Sequence, residues 1–181
     1  RVVGGDMFTV AHAEELDPKL PLEHQNQDWE LVFSLAQHGA SLHTLLRLLR
    51  DEAPTIVTLK TQSGAVLGGF TATPWVPSGD RYYGTGETFV FTFKDGMLQV
   101  YPWSGRNTYF MLASDDSLAM GGGGNFAFFL DGELNHGTSG PCDTFNSPGL
   151  AYESDFQCVA LEVYAMRGPA AAALRKARMR T

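Results

Sequence analysis

Apolar and polar side chains alternate most strictly within residues 82–93, YYGTGETFVFTF, where Glu87, Phe89, Phe91 and Phe93 fall on one side and Thr88, Val90 and Thr92 on the other. A period of two is that of a half-buried β-strand, so the three phenylalanines are expected to face a core. The same register brings Glu87 to the phenylalanine side, directly after the Gly84-Thr85-Gly86 turn. A carboxylate buried there without a partner would be strongly destabilising. Glu87 is therefore expected either to accept backbone N–H groups from a glycine loop or to face a pocket that uses its charge.

The rest of the chain supplies strands of the same kind and one clear helix. Residues 29–35 put Trp29, Leu31, Phe33 and Leu35 on one face, a first core strand. Ser41 then caps a helix whose Leu42, Leu45, Leu46 and Leu49 recur at helical spacing, with Arg47, Arg50 and Asp51 turned outward. Pro54 opens a hairpin of residues 55–60 and 65–73 around the turn Gln62-Ser63-Gly64, and Gly68 and Gly69 in its return strand signal a bulge or a close backbone approach. Lys94-Asp95-Gly96 turns the chain into residues 97–103, and residues 109–112 and 125–130 read as further strands. The last strand, 156–166, has Val159, Leu161, Val163 and Ala165 on one face and Cys158, Ala160, Glu162 and Tyr164 on the other. That second face is too apolar for open water, so Glu162 is expected to be buried and paired with a basic group or a backbone donor. About eight strands and one or two helices make a β-rich α+β chain.

Twelve phenylalanines, six tyrosines, three tryptophans and twenty glycines among 181 residues agree with short aromatic strands joined by tight turns. The length suits one domain with a sizeable core. Before it, the first 28 residues hold one helix-like piece, with Thr9 as cap and Pro18 and Pro21 as stops, expected to be an N-terminal helical segment or linker. The organisation expected is thus segment 1–28, domain 29–166 and tail 167–181.

Charge divides the chain unevenly. Of the charged side chains, all twenty acidic ones lie at or before Glu162, with eight of the thirteen basic ones, leaving the body at −12 and the tail at +5. An acidic body repels nucleic acid and anionic lipid, so neither is expected as a ligand. In the tail, Arg175, Lys176, Arg178 and Arg180 follow an alanine run, which suggests a helix carrying positive charge toward its C-terminal end as a partner-binding arm. No apolar run reaches the roughly 20 residues of a membrane span, and no signal peptide is legible, so a cytoplasmic residence is expected.

Chemistry-bearing residues are few. Two cysteines fit a reducing compartment, with Cys142 in a Gly-Ser-Pro loop the candidate redox thiol. The run Gly121, Gly122, Gly123 and Gly124 lacks the Lys-Ser/Thr of a phosphate loop and reads as a tight turn. His38, His43 and His136 show no metal-ligand spacing, so no metal and no cofactor are expected. Ser139, His136 and Asp131 are the right types for a nucleophilic triad, but no G-x-S-x-G elbow carries the serine. The candidate functional or structural-anchor carboxylates are Glu87, Asp131 and Glu162.

Several motifs in order carry a resemblance. Phe33-Ser34 with His38-Gly39-Ala40-Ser41-Leu42, Gly68-Gly69-Phe70, and Tyr83-Gly84-Thr85-Gly86-Glu87-Thr88-Phe89 are followed by Gly121 to Asn125 and by Leu130-Asp131-Gly132-Glu133-Leu134. Cys142-Asp143-Thr144-Phe145-Asn146 and Asp155-Phe156 with Leu161-Glu162-Val163-Tyr164 complete the series. Together they resemble the TLDc domain, from about Trp29 to Met166, with Ala127, Phe128 and Tyr164 departing from its usual pattern. The resemblance implies a two-sheet antiparallel β-sandwich flanked by a few short helices. It also implies a role in oxidative-stress resistance and binding to the peripheral stalk and catalytic head of the vacuolar proton-pumping ATPase. The expectation is a non-catalytic interaction domain, recruited to endolysosomal membranes through its partner. Two alternatives stand beside it: a redox-active or enzymatic protector using Cys142 or the Glu87 pocket, and a structural component of a ciliary or microtubule assembly.

Overall fold

The computed structural model describes residues 2–3 and 5–168. In chain order the elements are β1 (Val2–Val3), α1 (Val10–Leu16), β2 (Asp28–Ser34), α2 (Leu35–His38), α3 (Leu42–Leu49), β3 (Thr55–Thr61), β4 (Val66–Thr71) and β5 (Phe89–Thr92). They continue as β6 (Gln99–Pro102), β7 (Met111–Ala113), β8 (Ser117–Met120), β9 (Phe128–Asp131), β10 (His136–Thr138) and β11 (Asp155–Arg167). The pairing order is β6-β5-β4-β3-β11-β10-β9-β8-β7, with β2 also on β11 and β1 parallel to β2. All the other pairs are antiparallel.

Two sheets meet along β11. Its first residues, Asp155 to Gln157, pair with β10, while Glu162 to Arg167 pair with β2 and most of its length pairs with β3. Between the sheets lies one core, which holds Val57, Leu59, Leu67, Val90, Met111, Leu118, Met120, Phe128, Leu161 and Val163. Helix α3 adds Leu42, Leu45, Leu46 and Leu49 to it, and the Ser41 side chain accepts the Thr44 N–H as cap. The sheets approach closely at β4. A methyl group on Gly69 would stand 2.4 Å from Met120 Sδ of β8, and one on Gly68 1.8 Å from the Val57 carbonyl oxygen. The two glycines therefore serve close approach.

The phenylalanines of β5 do not face this core. Phe89, Phe91 and Phe93 line the opposite face of the first sheet with Phe70, Tyr164 and Met166, and the N-terminal segment covers them with Phe8, Ala13, Leu16 and Leu20. Phe8 is 1% exposed; its ring stacks on Trp29 and stands about 6 Å from those of Phe91, Phe93 and Tyr164. Expected as a segment or linker, residues 5–27 are thus the lid of a second core. The reason is apolar area: three phenylalanines on an otherwise open sheet face need cover, and Phe8 with Ala13, Leu16 and Leu20 supplies it.

Bulges account for two other differences. Pairing shifts register between Val163 and Tyr164, so Trp29 and Leu31 face the second core while Phe33 faces the first, instead of sharing a face. A second shift, between Cys158 and Ala160, leaves Val159 48% exposed, although alternation had placed it with Leu161. The expected basic helix with Arg175, Lys176, Arg178 and Arg180 lies outside the described residues.

Candidate functional site

Glu162 is 4% exposed and sits on the second-core face of β11. Its carboxylate accepts three successive backbone amides: Oε2 from Asp6 at 2.7 Å and Met7 at 3.0 Å, and Oε1 from Phe8 at 2.9 Å. The Tyr164 hydroxyl donates to Oε1 at 2.8 Å. Burial alone would push this carboxyl up, but the three amides and the phenol outweigh it and hold it below the usual range. Burial, with the neighbouring carboxylate, pushes the Tyr164 phenol the other way, above its ordinary value. The arrangement ties the chain just before α1 to the last strand. Thr9 follows at once, its side chain accepting from the His12 N–H and its own N–H bonded to His12 Nδ1, so the helix begins where the carboxylate's grip ends.

Glu87 is placed otherwise than the alternation requires. Strand pairing begins only at Phe89, and Glu87 stays in the preceding turn, exposed, where its N–H takes the Thr85 hydroxyl. Its carboxylate meets no glycine-loop amide among the described residues; it meets the side chains of Glu23 and His24. Nearby, Gly84 adopts φ +110° and a Cβ on Gly86 would strike the Trp103 ring at 2.6 Å, so these glycines serve the turn itself.

The four-glycine run pairs with the Cys142 loop. Asp143 donates to the Gly123 carbonyl and Thr144 to that of Gly122, while the Gly122 N–H is bound by the Thr144 hydroxyl. Gly121, Gly123 and Gly124 have φ of +86°, +76° and +105°, conformations that side chains resist. An open cleft of about 620 Å³ runs between this run and residues 138–141.

Beneath the run, Cys142 is 3% exposed and its thiol points at the Gly122 carbonyl. The candidate redox thiol is therefore a core group, because the glycines allow the loop to close over it. Cys158 is buried as well, and burial pushes its thiol up to about 12. The residue types of a nucleophilic triad are not assembled. Ser139 donates to the Ala127 carbonyl and accepts the Leu150 N–H; Asp131 accepts the N–H groups of Asn135 and His136, holding the turn after β9; and His136 faces exposed Asp155 at 3.7 Å.

The family model of the TLDc domain matches residues 4–167. The chain belongs to the TLDc family. Human nuclear receptor coactivator 7 is 40% identical to it over 156 residues, 85% of the chain and 16% of the relative. Rat oxidation resistance protein 1 is 41% identical over 154 residues, 84% of the chain and 18% of the relative, and the Xenopus laevis protein of that name is 40% identical over 161 residues. The chain therefore spans less than a fifth of the length of the first two. The TLDc match begins ahead of Phe8, in keeping with a lid that is part of the packed unit.

Sequence reasoning passed over Glu23, His24 and the amides of residues 6–8. The one signal for the last was a carboxylate on an apolar strand face, which demands donors without naming them. For Glu23 and His24 no periodicity or spacing gave notice, since Glu87 reaches them only through the fold.

Proposed function

We propose that this TLDc domain is a non-catalytic interaction module that binds and regulates a larger protein assembly, the vacuolar proton-pumping ATPase, in the cytoplasm and in the setting of oxidative-stress resistance. The observation that carries the reading is the family match over residues 4–167, with relatives named oxidation resistance protein among those that share it. Two further facts support it. Ser139, Asp131 and Cys142 are each engaged in holding loops, which leaves the nucleophilic and redox readings without a free reactive group at those positions. No helix among the described residues is long and apolar enough to cross a membrane.

The test is reconstitution. The domain is mixed with the purified catalytic head and peripheral stalks of the pump, and co-elution and ATP hydrolysis are measured. A stable complex with a changed hydrolysis rate, the same for wild type and Cys142→Ser, supports the proposal. No complex at about 10 µM of each component overturns it.

A further inference from the structure

Glu23, His24 and Glu87 each offer one ligand atom, and the three atoms all lie within 4.8 Å of one another. The first two come from the single 3-10 turn Leu22–His24 of the N-terminal segment, the third from the turn before β5. His24 is the unusual member. Its side chain is 3% exposed, its ring rests 5.9 Å from that of Phe70, and its buried Nδ1 has no hydrogen-bond partner among the described residues. The other nitrogen, Nε2, is directed at the carboxylates, 3.9 Å from Glu23 Oε1. That spacing is too long for a hydrogen bond and suits two ligands of a common centre.

The carboxylates pose a second problem with the same solution. Carboxylate oxygens of Glu23 and Glu87 lie within 4.8 Å of each other, although both carry negative charge when ionised. Like charges so close need a proton or a cation between them. An imidazole nitrogen beside two carboxylates is a donor set of one nitrogen and two oxygens.

We propose that Glu23, His24 and Glu87 form a divalent metal site of the zinc class, with water completing the shell. The donor chemistry selects the class: magnesium and calcium prefer all-oxygen shells, whereas imidazole with carboxylates suits Zn²⁺ and its first-row neighbours. Ligands at about 2.0–2.2 Å from a tetrahedral centre stand roughly 3.3–3.6 Å apart, so the group closes only slightly around an ion. Both glutamates are exposed and free to make that movement, and their exposure gives the ion a route in. Bound there, the ion would fasten the N-terminal lid to the turn that leads into β5, at a point separate from the Glu162 anchor.

Titration calorimetry with Zn²⁺ alone, in a non-chelating buffer, tests this on the whole chain, with Glu23→Gln and Glu87→Gln as variants. Both substitutions fall on exposed side chains and preserve shape, so folding is retained and is checked by circular dichroism. The expected result is one saturable site per chain, a melting temperature that rises with Zn²⁺, and affinity lower by about tenfold or more in each variant, with the thermal shift reduced in step. Wild-type protein without saturable binding below about 0.1 mM overturns the proposal. So does any smaller loss in the variants, which would assign the binding to an adventitious site elsewhere.

Discussion

Glu162 and Tyr164 lie two residues apart on one face of β11, and the phenol donates to the carboxylate at 2.8 Å while three amides of residues 6–8 close around the rest of it. A strand thereby captures a distant segment through one ionised group. Three of the carboxylate's four donors belong to the segment it holds, and no cation accompanies them among the described residues, so its charge is met chiefly by that segment.

Replacing Glu162 with alanine leaves those amides and the phenol facing a void. The loss is expected to reach about 3 kcal/mol or more, since each buried donor left unpaired costs about 1–3 kcal/mol. Urea denaturation measures it; a midpoint within error of wild type would contradict the anchoring role.

The same anchor sets a pH dependence. Because the folded carboxyl lies below its ordinary value of 4.5, the folded state binds this proton less readily than the unfolded state. Its contribution is present above pH 4.5 and is lost as pH falls through the lower folded value. Thermal melts of wild type and Glu162→Gln across this range should show a gap that is widest near neutrality and narrows in acid.

Phe8 carries the lid. Truncation to alanine empties a site among Trp29, Phe91, Phe93 and Tyr164 and is expected to cost about 3–5 kcal/mol. Val10, 54% exposed two residues on, provides the control, because its change to alanine should fall within about 0.5 kcal/mol.

Neither cysteine should react in the folded state. A water-soluble disulfide reagent is expected to modify Cys142 and Cys158 only at the rate at which the domain unfolds, because both thiols are buried and that of Cys158 is held in its protonated form. Rapid native-state labelling of Cys142 would restore it as a redox candidate.

Periodicity made the strongest elements readable: the leucines of α3 behind the Ser41 cap, the β3–β4 hairpin, and the strand containing Phe89 and Phe91. It missed β8 and β10, because Ser-Leu-Ala-Met and His-Gly-Thr are too short and too poor in β-branched residues to show a period. Alternation also continues across a bulge on paper while the backbone does not, which misplaced Phe33 relative to Trp29 and Val159 relative to Leu161. At the candidate sites, both Glu87 and Glu162 sit at alternating positions beside apolar residues. What separates them is where pairing starts and which distant segment arrives, and these are tertiary facts. Cys142 illustrates the converse, for a Gly-Ser-Pro setting reads as surface until another glycine-rich strip folds over it.

Strand β11, shared by the two sheets, also gives the fold an order of assembly in time. It follows every other described element, so a ribosome that has released residues up to 154 holds two antiparallel meanders, β3 to β6 and β7 to β10, each with an unpaired edge waiting for the same strand. The Glu162 carboxylate that receives the N-terminal lid arrives with that strand too. Closure of the sandwich and sealing of the second core therefore await one late stretch of thirteen residues, Asp155–Arg167, and a chain stopped short of it would expose both edges and the phenylalanine face to aggregation.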